Sequence, residues 1–262
     1  MRPTAIKVPR MKILAVDVGG THVKILATGQ KEKREFASGP QLGPDQMVEQ
    51  VKVLANGWAY DHVTVGYPGP VVHGRPAAEP HNLGAGWLGF DFGRAFGCPT
   101  RTMNDAAMQA LGSYRGGRML FLGFGTGLGT AFIVDGVIEP LELGHLPYRK
   151  STYEDYVGLR GLKRHGKKKW RQHVADVIAR LAAAMEPDEV VIGGGHAALL
   201  KDLPPYCRLG DNANAFVGGF RAWQAPATRH PAAKAAKSTA AGRRVAPSAS
   251  AVTNRRTQGA DR

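Results

Sequence analysis

Residues 17–24 have the sequence Asp-Val-Gly-Gly-Thr-His-Val-Lys, and they join two apolar, β-branched segments, 12–18 and 22–28. The pattern predicts an antiparallel hairpin with Gly19 and Gly20 in its turn. Because glycine has no Cβ, the backbone amides of such a turn can approach an anion closely. Successive N–H groups then form an anion-binding concavity. A plain hairpin turn is the alternative, since two adjacent glycines alone are weak support for a phosphate site.

Three side chains of this stretch carry further expectations. Thr21 adds a hydroxyl donor to the turn. Asp17, at the end of the first strand, can hold a hydrated Mg²⁺, because that ion prefers carboxylate and water oxygens. Lys24 lies three residues beyond the turn. It either reaches a bound phosphate or is an ordinary surface lysine of the strand, and the pattern leaves both open.

Two more glycine-rich turns follow. Residues 123–130 (GFGTGLGT) place four glycines and two threonines between apolar strands, whereas a tight turn accounts for two glycines at most. Gly193-Gly194-Gly195 follows a predicted strand at 189–192 and precedes a predicted helix, whose N-terminus would favour an anion. Three such turns in order are more specific than any one of them. The phosphate-binding candidates are Asp17, Gly19, Gly20, Thr21, Lys24, Gly125, Thr126, Gly127, Gly194 and Gly195.

Hydrophobic periodicity predicts the remaining elements. A third antiparallel strand is expected at 31–38. Helices are expected at 44–58, 105–114, 153–164, 170–185 and 212–223. The order strand, glycine turn, strand occurs at 13–28 and again at 119–134, so the chain contains a coarse repeat.

Two further motifs carry a family resemblance. Met103-Asn104-Asp105-Ala106-Ala107 lies between the first and second glycine turns, and Glu142-Leu143-Gly144-His145 follows the second. In this order, over residues 12–195, the motifs resemble the ROK family of sugar kinases, within the hexokinase–actin–Hsp70 superfamily. The resemblance implies an α/β, actin-like ATPase (ribonuclease H-like) fold in two domains.

The domains implied are a small N-terminal one over 11–103 and a larger one over 104–210. The last helix, about 211–224, would return to the first domain. The activity implied is Mg²⁺-assisted phosphoryl transfer to the 6-hydroxyl of glucose or a related hexose, with the substrate in the cleft. Asp105 would be the general base, although its position at a helix start also fits a capping residue.

The resemblance also implies a set of sugar-binding residues, namely Asn82, Asn104, Asp105, Glu142, His145 and Glu154. Glu142 as a solvated carboxylate and His145 as a core histidine are the alternatives. Asp155 competes with Glu154 for the same role. Trp87, in the loop that follows Asn82, is expected to pack beneath that loop.

Most ROK members carry a cysteine-rich zinc cluster after the Glu-x-Gly-His element, but residues 146–155 (LPYRKSTYED) contain no cysteine. We therefore expect no structural zinc. This difference and the segment 210–223 (GDNANAFVGGFRAW) resemble the polyphosphate glucokinase branch. The phosphate donor stays open between inorganic polyphosphate and ATP, because a glycine turn before a helix also suits an adenine nucleotide.

The net charge of the chain is +14, and residues 226–262 carry +7 of it. That stretch is rich in Ala, Pro, Ser and Thr and is predicted to be a disordered basic tail. A second basic run occupies 163–171 (KRHGKKKWR). Solvated surface is one interpretation of both runs, and a polyanionic partner is the other.

Two isolated cysteines, Cys98 and Cys207, favour a reducing compartment. No leader pattern and no bilayer-length apolar run is present, so a cytoplasmic location without membrane contact is expected. A sugar-binding ROK-type regulator is a further alternative, disfavoured because only about ten residues precede the first motif. Nucleic acid is not expected as a partner, and a homodimer is left open.

Overall fold

The computed structural model describes residues 11–224, so the predicted tail at 226–262 lies outside the described residues. The strands, in chain order, are β1 Ile13–Val18, β2 His22–Ala27, β3 Arg34–Ala37, β4 His62–Tyr67, β5 Val71–Val72, β6 Arg75–Pro76, β7 Thr100–Asn104, β8 Arg118–Phe124, β9 Leu128–Val134, β10 Val137–Leu141, β11 Pro147–Tyr148, β12 Ser151–Thr152, β13 Glu189–Gly193 and β14 Cys207–Leu209. The helices are α1 Pro44–Leu54, α2 Phe92–Phe96, α3 Asp105–Ser113, α4 Tyr153–Val157, α5 Leu159–Met185 and α6 Asn214–Arg221.

The first five-stranded sheet has the order β3-β2-β1-β4-β7. β1, β2 and β3 are antiparallel neighbours, which confirms the predicted hairpin and third strand. β4 and β7 run parallel to β1. The carboxyl ends of β1, β4 and β7 therefore meet at one edge of the sheet, which is where open α/β sheets bind ligands.

The second sheet repeats this arrangement in the order β10-β9-β8-β13-β14. β8, β9 and β10 are antiparallel, while β13 runs parallel to β8 and pairs Gly193 with Gly123. The coarse repeat predicted from the sequence is thus confirmed. The second and third glycine turns leave the same edge of this sheet.

The last helix, α6, packs against α3 and against β1 of the first sheet. A Cβ at Gly218 would overlap the carbonyl oxygen of Met108, so glycine permits this close helix contact. The buried Thr64 donates to Gly219 O at 2.7 Å and accepts from the Trp223 indole at 2.8 Å. The chain thus returns to the first sheet near the end of its described part. The division into domains at 103/104 stays a prediction.

The predicted helical segment 153–164 is confirmed, but the chain divides it into two helices. α4 ends at Val157 and is capped by Gly158, where a side chain would come within 2.6 Å of Thr126 O. α5 then starts at Leu159 and continues to Met185, with a break in helical geometry at Gly166, whose φ is +69°. The helix predicted from 170 therefore begins earlier and includes the basic run.

The helix predicted after Gly195 is also wrong. Residues 197–199 form a single 3-10 turn, and the chain then runs irregularly to β14. Asp202 adopts a positive φ of 53°, and Pro204 and Pro205 lack the N–H groups that a growing helix needs. The third glycine turn therefore lacks the helix N-terminus that was expected beside it.

Candidate active site

A cavity of about 860 Å³ lies at the carboxyl edges of the two sheets. All six predicted sugar-side residues line it, as do most of the predicted phosphate-side glycines. Together they are Gly19, Gly20, Asn82, Asn104, Asp105, Gly125, Thr126, Gly127, Glu142, His145, Glu154 and Gly194. The cavity lining does not include Asp17, Thr21, Lys24 or Gly195.

Asn104 and Asp105 lie at the junction of β7 and α3. Asn104 is the N-cap of α3, since its Oδ1 accepts the N–H of Ala107 at 3.1 Å. Its Nδ2 donates to Gly69 O at 3.1 Å. Both ends of this amide are thus used to fix the junction. Asn104 holds Asp105 in position, and the capping role considered for Asp105 belongs to its neighbour.

The Asp105 carboxylate points into the cavity from the first turn of α3. Its Oδ1 accepts the N–H of Ala106 at 2.7 Å. Burial raises the pKa of Asp105 to about 7, and the charges of Asp17 and Glu142 contribute to the rise. A carboxylate with this pKa is well matched to accept a proton near neutral pH.

Asp17 is partly buried at the end of β1, and its cross-strand partner is Lys24. Residues directly opposite in an antiparallel pair share one face of the sheet. Burial raises the pKa of Asp17, while the charges of Lys24 and Lys33 lower it. Lys24 thus lies beside Asp17 and outside the cavity lining. Thr21 is exposed at the tip of the hairpin.

Glu142 follows β10 and presents its carboxylate to the cavity. The buried Thr130 holds the chain on both sides of it: its hydroxyl donates to Leu141 O at 2.6 Å and accepts the N–H of Leu143 at 3.2 Å. Partial burial raises the pKa of Glu142, with a lowering effect of His145 and a raising effect of Glu154. Glu142 is therefore a positioned carboxylate.

His145 and Glu154 meet across the cavity wall, with 3.8 Å between His145 Nε2 and Glu154 Oε1. A Cβ on Gly127 would lie 2.5 Å from Glu154 Oε2, so the Glu154 carboxylate is in contact with the second glycine turn. Asp155 also lines the cavity, but it bonds to Ser151 and Arg160. The structure thus leaves Glu154 the freer of the two candidates.

The Asn82 loop is organised by Glu79, which the sequence patterns did not single out. Its carboxylate accepts the backbone N–H groups of Gly86, Trp87 and Leu88 at 3.1–3.3 Å. These bonds, the one from Leu88 first, lower the pKa of Glu79. Trp87 is fully buried against Tyr67 and Phe92, which confirms its predicted packing role. No local motif marks Glu79, because its partners come from the loop that it shapes.

Arg160 is the second missed residue, and it lines the cavity from the first turn of α5. The N–H of its neighbour Leu159 bonds to Gly125 O and Thr126 O at 3.0 and 3.1 Å. This contact brings the start of α5 to the second glycine turn. Arg160 follows Gly158 by two residues, and a pattern that predicts one continuous helix over 153–164 does not distinguish it from any other surface cation of that helix.

Among residues 11–224, no group of three or more His, Cys, Asp and Glu side chains is arranged to hold a metal. Mg²⁺ needs no such cage, because it keeps several waters and takes one or two carboxylates with substrate phosphate oxygens. The partly buried Asp17, beside the first glycine turn, fits this requirement through water. No described helix is long and apolar enough to cross a membrane.

No protein-family model matches the chain. The polyphosphate glucokinase of Mycobacterium tuberculosis is 28% identical over 204 residues, which cover 69% of this chain and 76% of that protein. Among solved structures, the inorganic polyphosphate/ATP-glucomannokinase of Arthrobacter sp. strain KM has a TM-score of 0.72 at 22% identity, covering 82% of this chain and all of that one. A ROK family glucokinase from Streptomyces griseus, in complex with glucose and AMPPNP, has a TM-score of 0.66 at 16% identity and covers 80% of this chain and 98% of that one.

The fold is that of the actin-like ATPases, with a candidate phosphate and sugar site between two sheets of the same plan. In sequence and in fold, the chain is similar to sugar kinases of the ROK family and to polyphosphate glucokinases. A ROK family transcriptional regulator, homologous to the E. coli MLC protein, shares the fold with a TM-score of 0.62 at 15% identity, covering 80% of this chain and 76% of that one. Likeness of fold alone therefore does not distinguish a sugar kinase from a sugar-binding regulator.

Proposed function

We propose that this protein transfers a phosphoryl group to the 6-hydroxyl of glucose or a closely related hexose. Asp105 accepts the proton of that hydroxyl, and the sugar oxygen attacks the terminal phosphorus of the donor. The bond from that phosphorus to the rest of the donor breaks, and the shortened donor leaves with the electron pair. The products are a hexose 6-phosphate and the shortened donor.

The position of Asp105 carries the proposal. Its carboxylate lies in a cavity lined by two glycine turns and by the acidic side chains Glu142 and Glu154. With a pKa of about 7, the Asp105 carboxylate is partly unprotonated near neutral pH and is still basic enough to accept a proton. A protein that only binds sugar has no need for a buried carboxylate with this pKa.

The other groups of the site orient the reactants. Glu142, His145, Glu154 and Asn82 accept or donate hydrogen bonds to the sugar hydroxyls, and Asn104 keeps Asp105 aligned. The backbone amides near Gly20 and Thr126 surround the phosphates from the two turns. Mg²⁺, held through water at Asp17, would offset charge on the transferred phosphoryl group. Positioning and charge stabilisation of this kind account for most of the catalysis in phosphoryl transfer.

We infer that inorganic polyphosphate is the preferred donor, with ATP as the second candidate. Gly194 lines the cavity, but only a 3-10 turn follows it. The helix start that favoured a nucleotide in the sequence is thus missing. Arg160, at the second glycine turn, is paired with Asp155 but is 72% exposed, so its guanidinium retains N–H groups that can bind a phosphate chain. The polyphosphate-using relatives are in keeping with this preference.

The proposal is tested by incubating the purified full-length chain with glucose and Mg²⁺ plus either long-chain polyphosphate or ATP, and measuring glucose 6-phosphate. We expect product with polyphosphate at a higher kcat/KM than with ATP, and none above background with Asp105→Asn. Better use of ATP overturns the donor preference alone. Glucose binding without product from any donor overturns the kinase and favours a sugar-binding regulator.

A further inference from the structure

A basic segment leads away from the candidate active site along the start of α5. It consists of six exposed cations, Arg160, Lys163, Arg164, Lys167, Lys168 and Lys169. We call these six residues the α5 basic segment. The chain has no acidic residue between Asp155 and Asp176, so no carboxylate of its own helix neutralises it.

The α5 basic segment is continuous with the cavity. Arg160 lines the cavity, and Leu159 is bonded to the second glycine turn. Lys163 and Arg164 follow Arg160 at i+3 and i+4, so all three lie on one side of the first helical turns. The break at Gly166 then turns the chain before the three consecutive lysines. Positive charge thus begins inside the site and continues outside it.

Most of these cations have no acidic partner. Within residues 11–224, Arg160 is paired with Asp155, while none of the other five has a carboxylate within salt-bridge distance. The pKa of His173, on the same helix, is lowered first by burial and then by the charges of Arg149, His165 and Lys169, against the opposing effect of Asp176. The surroundings of α5 therefore carry a net positive potential, which attracts polyanions.

The side chains around the α5 basic segment distinguish between polyanions. Single-stranded nucleic acids are usually held by exposed aromatic side chains on which bases stack. The one tryptophan here, Trp170, is fully buried, and its indole bonds to Val157 O. A membrane surface site would add exposed apolar side chains, and residues 159–171 present no exposed large apolar group. A linear anion without bases or acyl chains fits best.

We propose that the α5 basic segment binds the distal part of an inorganic polyphosphate chain whose terminal phosphoryl group lies at the second glycine turn. This inference rests on the proposed function, because it extends the donor site outward from the reacting end. It implies that the enzyme distinguishes donors by length. A long chain reaches Lys163, Arg164 and Lys167, whereas tripolyphosphate and ATP end near Arg160.

The test compares wild type with the triple variant Lys163→Gln, Arg164→Gln, Lys167→Gln in the full-length chain. We expect the KM for long-chain polyphosphate to rise about tenfold in the variant. The slope of log KM against log salt concentration should fall by about 2, since three phosphate contacts are lost. The kcat, and the KM for tripolyphosphate and ATP, should stay as in wild type because these residues do not line the cavity.

The matched control, Lys12→Gln, Arg94→Gln, Arg115→Gln, removes three exposed cations that also lie outside the cavity. It should leave the KM for long chains and its salt slope near wild-type values. If both triple variants change the KM for long-chain polyphosphate equally, only the net charge of the protein matters, and the inference is overturned. An unchanged KM for long chains in the α5 variant also overturns it, although the proposed function then stands.

Two further outcomes also overturn the inference. If wild type makes no glucose 6-phosphate from polyphosphate of any length, the proposed donor fails together with it, and the wild-type assay alone reveals this. If the α5 variant loses binding to single-stranded RNA or to vesicles containing phosphatidylserine, yet keeps its KM for long polyphosphate, the surface serves that other partner.

Discussion

The negative charge of Asp17 acts on Asp105 and, after burial, is the largest cause of its raised pKa of about 7. Asp17 lies near the end of β1 and Asp105 directly after β7, and one strand, β4, separates β1 from β7 in the first sheet. Like charges at such a site disfavour a second ionisation. A carboxylate of the first hairpin thus raises the pKa of the proposed base, which follows a different strand.

This coupling predicts how activity depends on pH. Asp105 is a base only when ionised, so kcat/KM should fall as the pH drops below about 7. Asp17→Asn removes a negative charge, lowers the pKa of Asp105 and should move this acidic limb to lower pH. Glu142→Gln should move it less, because Glu142 contributes less to the shift. The measurement is a pH profile of kcat/KM for the three proteins, and an unmoved limb in Asp17→Asn contradicts the coupling.

Replacing the base itself should separate activity from stability. Asp105→Asn keeps an oxygen for the N–H of Ala106 but cannot take a proton, so kcat should fall by about 10²–10⁴-fold with the KM for glucose little changed. The folded protein holds the Asp105 proton more tightly than the unfolded chain does, since the pKa rises from 3.8 to about 7. Wild-type stability from this group is therefore lost as the pH rises through that window.

The asparagine variant has no such charge to bury. Its free energy of unfolding should exceed that of wild type near pH 8 by an amount on the order of 1 kcal/mol, and the difference should shrink toward pH 4. Urea unfolding at a series of pH values checks this. A variant that is less stable than wild type at pH 8 would show that the Asp105 carboxylate stabilises the fold.

Much of the fold follows from local patterns. The β-branched segments around Gly19-Gly20 and 123–130 specify hairpins without help from distant residues, so the antiparallel hairpin of each sheet could be predicted. The end of α4 next to Gly158 and the absence of a helix after Gly195 could not be predicted from local patterns. The first depends on the backbone of Thr126, which no periodicity encodes. The second shows that the helical signal after a glycine turn is overridden by Pro204 and Pro205 a few residues later.

The candidate site divides in the same way. Asp105 and the Glu142–His145 element stand in recognisable motifs, and they line the cavity. Glu79 and Arg160 carry no motif, because their positions result from tertiary contacts with the loop at 86–88 and with the second glycine turn. Sequence patterns therefore identify site residues that belong to motifs at strand ends. They miss residues such as Glu79 and Arg160, whose positions depend on contacts with distant parts of the chain.

Gly127 and Gly125 allow a paired test of the second turn. A Cβ at Gly127 would lie 2.5 Å from Glu154 Oε2, so Gly127→Ala should displace that carboxylate and raise the KM for glucose. A Cβ at Gly125 meets nothing within 4 Å, and it lies at the phosphate side of the cavity. Gly125→Ala should therefore raise the KM for the donor and leave that for glucose unchanged. Steady-state kinetics with each substrate varied decides this, and equal effects of both variants on the two KM values would refute the division into a sugar side and a phosphate side.

Thr130 should position Glu142 without touching the substrate. Its hydroxyl bonds to Leu141 O and to the N–H of Leu143, on either side of Glu142. Thr130→Val keeps the shape of the side chain but leaves both backbone groups without this partner, at a cost of about 1–3 kcal/mol for such a loss. Thr130→Ser restores the hydroxyl and should recover most of the stability.

The kinetic effects of the two variants distinguish positioning from general destabilisation. If Thr130 aligns Glu142, Thr130→Val should raise the KM for glucose severalfold at a temperature where it is fully folded, with a smaller change in the KM for the donor. Thr130→Ser should restore the KM for glucose. A valine variant that is less stable but binds glucose like wild type would mean that the hydroxyl serves only the fold, because a misaligned Glu142 cannot keep the same hydrogen bonds to a sugar hydroxyl.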